Sequence, residues 1–83
     1  MPLADASQRR DFEKRATHNS EAFQLYSKAL YHMGNRRQPS EVVVAIDLLK
    51  AAVELDPNYA LAHAQLGYAY AVRAVYDVVD PGL

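Results

Sequence analysis

The 83 residues make one domain at most, and a chain this short buries only about 60–65% of the surface its unfolded form exposes. Nine Lys and Arg against ten Asp and Glu leave a formal charge of −1, and cysteine is absent, so neither a disulfide nor a thiolate metal site is expected to staple the fold. The scattered basic pairs Arg9-Arg10, Lys14-Arg15 and Arg36-Arg37 lack the one-sided stripe of a nucleic-acid binder. No apolar run reaches the roughly 18 residues of a membrane span, and Met1–Asp5 does not begin a secretory leader. The expectation is a soluble cytoplasmic protein without nucleic-acid or membrane partners.

Four helical segments are expected in chain order. The first covers Ala6 to Ala16, after Asp5 and Gln8 in a capping-box spacing, with Phe12 as its main apolar anchor. The second follows Asn19, a good N-cap. Its apolar residues Ala22, Leu25, Tyr26, Ala29, Leu30 and Met33 recur at helical intervals. Gly34-Asn35 is expected to close it in the left-handed conformation, leaving Arg36-Arg37-Gln38 as a loop.

The third starts at Pro39, suited to the first helical position because its missing N–H would be unpaired there. Glu41 complements the helix dipole. Val42, Ala45, Ile46, Leu49, Ala52 and Val53 form the apolar face, and Pro57 stops the run. The fourth, with Asn58 as cap, spans Tyr59 to Tyr76 or beyond. Its only polar residues up to that point are His63, Gln65 and Arg73, so it is expected to be covered on nearly all sides. Asp80-Pro81-Gly82 forms a turn-like tail.

Two stretches repeat. Ala22-Phe23-Gln24-Leu25 and Ala29 align with Ala60-Leu61-Ala62-His63 and Gly67 at an offset of 38 residues, a period typical of stacked helix pairs. Ala29, Gly67, Ala45 and Ala52 are small where helix backbones are expected to approach closely, so leucine at Gly67 should overpack a crossing. Tyr70 is the first tyrosine expected in the core, and Lys28 is expected to lay its stem on apolar surface with its charge in water.

His63, Leu66, Gly67 and Tyr70 have the spacing of the tetratricopeptide signature W-x2-L-G-x2-Y, with His for Trp. Ala45, Leu49 and Pro57 occupy the places of that signature's Ala, Phe and Pro, and AAVELDPNYALA (51–62) looks like a junction between two such units. From Asn19 to Tyr70 the chain thus resembles the tetratricopeptide repeat family. Within it, NSEAFQLYSKALYHMGNRRQPSE and DPNYALAHAQLGYAYA resemble segments found beside adenylate cyclase, kinase or transcription-regulator domains of bacterial signalling proteins. Three departures stand out. The first unit is about four residues longer than the usual 34, Lys28 stands where Leu66 stands in the second unit, and no second helix follows the last first helix.

The resemblance implies an all-α fold of antiparallel helix pairs, as in a right-handed superhelix. Its parts would be a helical extension over 1–18, a first pair over 19–57, and the first helix of a second unit plus tail over 58–83. First helices make the concave face in this family, and helical phase then places Phe23, Tyr26, Leu30, Leu61, Ala64 and Tyr68 there. Members that clamp a C-terminal carboxylate use Lys, Arg and Asn on that face, whereas this set is aromatic and aliphatic. The implied function is non-catalytic binding of a protein or peptide, an apolar helix in particular. The alternative is a homodimer formed through the unfinished apolar last helix, which would otherwise expose a patch larger than soluble monomers usually carry. His63 is expected to fill the space left by the absent Trp.

The remaining constellations point away from catalysis. His18, His32 and His63 lack metal-ligand spacing, Ser20, Ser27 and Ser40 lack a nucleophile-elbow context, and three glycines form no phosphate loop. No cofactor, metal or catalytic residue is expected. The Arg36-Arg37 loop reads either as a solvated turn or as a seat for an anion or an acidic peptide.

Overall fold

The computed structural model describes residues 17–79. The expected Ala6–Ala16 helix and the Asp80-Pro81-Gly82 tail lie outside them. The described residues form three helices, α1 (Ser20–Met33), α2 (Pro39–Leu55) and α3 (Ala60–Val79), and no strand.

Local chemistry sets where α1 begins. Asn19 is extended, and its side-chain oxygen accepts the Ala22 N–H at 2.9 Å, satisfying one of the donors a helix start leaves orphaned. Thr17 Oγ1 accepts the Asn19 N–H at 3.0 Å, while its hydroxyl donates to Asp56 at the far end of α2.

The end of α1 corrects the expectation of a left-handed closure. Gly34 is right-handed, with φ −63° and ψ −23°, and no described residue has positive φ. The last turn tightens instead, Asn35 N–H bonding to His32 O at 2.9 Å and Arg36 N–H to Met33 O at 3.2 Å. With the final carbonyls satisfied in this way, no reversal is needed. Glycine fits for reasons of space, since a Cβ at Gly34 would lie 3.1 Å from the Tyr31 carbonyl oxygen.

α2 opens at Pro39 after an extended Gln38 whose side chain makes no cap. Glu41 in its first turn pairs with His32 in the last turn of α1, and the Glu41 carboxylate sits where the dipole of α2 favours negative charge. Pro57 restricts Asp56 to extended backbone, φ −140° and ψ 90°.

The turn into α3 departs from the expected Asn58 cap. Asp56 organises it, its side chain accepting the Asn58 N–H at 3.2 Å and its carbonyl accepting the Tyr59 N–H at 3.0 Å, as in an Asx turn. The Tyr59 carbonyl then takes the first helical bond, from His63 N–H at 3.1 Å.

α2 is the centre of the packing, with α1 and α3 both against it and scarcely touching one another. The end contacts give the directions. The start of α1 reaches the end of α2 through Thr17 and Asp56, and the end of α1 meets the start of α2 through His32 and Glu41. The Tyr76 hydroxyl, near the end of α3, donates to the Arg36 carbonyl ahead of α2 at 2.6 Å. Consecutive helices are therefore antiparallel.

Ala22, Ala29 and Met33 of α1, Val42, Ala45, Ile46, Leu49 and Ala52 of α2, and Ala62 and Ala69 of α3 form one buried cluster with Tyr59. Alanine on every helix lets the axes come close. Val43 and Val44, despite their strand preference, sit on the exposed side of α2.

Four expectations for α3 are corrected. Gly67 is not at a close crossing: it is exposed, and a Cβ built there meets nothing within 4 Å. Tyr70 is not core but 47% exposed, and the buried tyrosine is Tyr59, 1% exposed in the α2–α3 turn. His63 fills no interior space; it is exposed and donates from Nε2 to the Pro57 carbonyl at 2.7 Å. Nor is α3 covered on nearly all sides, because Val75, Val78 and Val79 are exposed. One cause serves for all but His63. Only the Ala62–Ala69 side of α3 meets α2, and no further described helix packs on the other.

Candidate protein-binding surface

The six residues expected on the concave face come from α1 and α3, the two helices flanking α2. Phe23 is 56% exposed and Tyr68 46% exposed, while Leu30 and Ala64 are exposed as well. Tyr26 and Leu61 are half-buried and lean on the core cluster. Phe23, Tyr26 and Leu30 recur at three and four residues along α1, as Leu61, Ala64 and Tyr68 do along α3, so each trio follows one side of its helix.

Tyr59 is what positions the two trios. Its ring packs tilted against Tyr26, centroids 5.1 Å apart, an arrangement aromatic pairs favour. The contact fixes the start of α3 beside α1. Burial, with Tyr26 and Asp56 adding to it, pushes the Tyr59 phenol above its ordinary value of 10. No described side-chain polar atom is buried without a hydrogen-bond partner.

The six side chains are aliphatic or aromatic, with the phenol hydroxyls of Tyr26 and Tyr68 their polar groups. Among the described residues no three His, Cys, Asp or Glu stand together as metal ligands, and no helix is long and apolar enough to cross a membrane. No family model, curated protein or solved structure matches the chain. The reading of this surface therefore rests on the residues themselves.

Sequence reasoning missed three contacts that shape the surroundings. The Tyr76–Arg36 bond spans 40 residues and the Thr17–Asp56 bond 39, beyond the reach of any local pattern. The His32–Glu41 pair was accessible in principle, since the two residues close the ends of adjoining helices.

Proposed function

We propose that the chain is a non-catalytic, tetratricopeptide-like module that binds an apolar helix of another protein through Phe23, Tyr26, Leu30, Leu61, Ala64 and Tyr68. The observation that carries this reading is the exposure of Phe23, Leu30 and Tyr68 on helices that flank a shared partner, α2. Large apolar side chains held on rigid elements are what a helix-in-groove interface uses, and aromatic anchors dominate such contacts. The narrower resemblance supports a place within a bacterial signalling or regulatory protein of the cytoplasm.

The test is capture of partners by the wild-type chain and by a Leu30→Ala/Tyr68→Ala double variant. Both side chains are exposed, so circular dichroism is expected to be unchanged while the captured set loses members. An identical set with both chains would refute the reading.

A second reading, self-association through α3, is favoured by the exposure of Tyr70, Val75, Val78 and Val79 along one helix. Sedimentation equilibrium decides it, and a monomer at every concentration tested removes it.

A further inference from the structure

The loop between α1 and α2 and the last turns of α3 border a shallow, open cleft of about 320 Å³, walled by Val72, Val75 and Tyr76 with Arg36 and Arg37 at its edge. A second cavity of about 550 Å³, formed by Gly34 to Gln38, adjoins it through the same two arginines. We propose that this cleft binds a segment of another protein in which an Asp or Glu side chain lies next to a large apolar one. The site is separate from the six residues of the preceding section, so the two proposals stand or fall independently.

Three features carry the inference. The first is shape held in advance. The Tyr76 hydroxyl fixes the Arg36 carbonyl at 2.6 Å, Arg36 Nη1 donates to the Met33 carbonyl at 3.1 Å, and Gln38 N–H bonds to Asn35 O at 3.0 Å. A loop pinned at both ends loses little freedom when a ligand arrives, which favours binding.

The second feature is charge. In a chain of net charge −1, neither cavity is lined by a carboxylate among the described residues. Two guanidinium groups stand there together, and among the described residues Arg36 commits one of the five N–H donors a guanidinium carries. Arginine pairs with carboxylate in a planar, two-bond geometry that a solvated turn does not use.

The third feature is the wall. Val72, Val75 and Tyr76 offer hydrocarbon directly beside the cations, and Val75 is 60% exposed. A bare inorganic anion would leave that wall wet. An acidic residue with a leucine or phenylalanine neighbour satisfies both parts, and a cleft of this size suits a few side chains.

The probe is acetyl-Asp-Leu-Phe-Glu-amide, titrated into the 15N-labelled full chain and followed by amide chemical shifts. Its neutral twin is acetyl-Asn-Leu-Phe-Gln-amide. The acidic peptide is expected to shift the amides of Arg37, Val75 and Tyr76 saturably, with the twin at least about tenfold weaker, the fold-change expected on losing one charged hydrogen bond. Arg37→Gln and Val75→Ser should each weaken binding without changing the helical signal, both side chains being exposed. Equal binding of the two peptides would overturn the proposal, as would silence up to millimolar concentration. Binding by Asp80→Asn but not by the wild type would also overturn it, since the occupant would then be the chain's own Asp80, four residues after Tyr76 in the sequence.

Discussion

Replacing Gly67 by alanine tests the packing of α3 directly. Glycine in a helix interior is about 1 kcal/mol less favourable than alanine, because it gives up more backbone freedom. That gain is realised only where a Cβ has room, and at Gly67 a Cβ meets nothing within 4 Å. Gly67→Ala should therefore stabilise the chain by about 1 kcal/mol. A chain of this length has about 4–12 kcal/mol of stability in all, so the change should raise Tm by about 4–8 °C. On α1, by contrast, Ala29 is fully buried in the core cluster. Ala29→Leu should accordingly cost about 1–3 kcal/mol by overpacking. Thermal unfolding followed by circular dichroism, at two protein concentrations, reads both. A Gly67→Ala variant that melts at or below the wild-type temperature would refute the open face of α3. If Tm also rose with concentration in the wild type, the covering surface would be a second copy.

Two further outcomes follow from single contacts. Asn19→Ala removes the acceptor of the Ala22 N–H and should cost about 1 kcal/mol in urea unfolding, with Asn19→Asp close to neutral. Tyr59 concerns alkaline pH. Its folded phenol titrates above 10, chiefly through burial and then through Tyr26 and Asp56, so the unfolded chain releases this proton first. Stability from this group is fully present below about pH 10 and is lost as pH rises through the folded value. Tyr59→Phe should flatten the alkaline fall in Tm measured from pH 9 to 11, and an unchanged slope would mean that Tyr59 does not carry it.

The sequence made the three described helices legible wherever a side chain settles the matter locally. Asn19 accepts an orphan N–H and Pro39 lacks the donor that a first turn cannot use, so both starts could be read without knowing the fold. The stripes of α1 and α2 were legible for a similar reason, since Asp47, Lys50 and Glu54 mark the wet side and leave one apolar face. The closures were not. Gly34 is compatible with either hand of backbone, and the choice fell to right-handed bonding of Asn35 and Arg36 to the last carbonyls. Asn58 lost the cap because Asp56, two residues earlier, had already organised the turn.

The candidate surface was legible only in part, and α3 shows why. Its residues are apolar around most of the circumference, so hydropathy cannot say which side meets α2. The expected offset of 38 residues, which pairs Ala29 with Gly67, is corrected by the structure: the buried Ala22 and Ala29 of α1 recur as the buried Ala62 and Ala69 of α3, 40 residues on. Gly67, two residues before Ala69, faces open space, and Tyr70 is exposed. The misplacement of Gly67 follows from pairing it with Ala29, when the buried alanine in that register of α3 is Ala69. A helix that buries alanines on one side and leaves a glycine and tyrosines bare on the other has two faces fit for packing, and only one of them is used within the described fold.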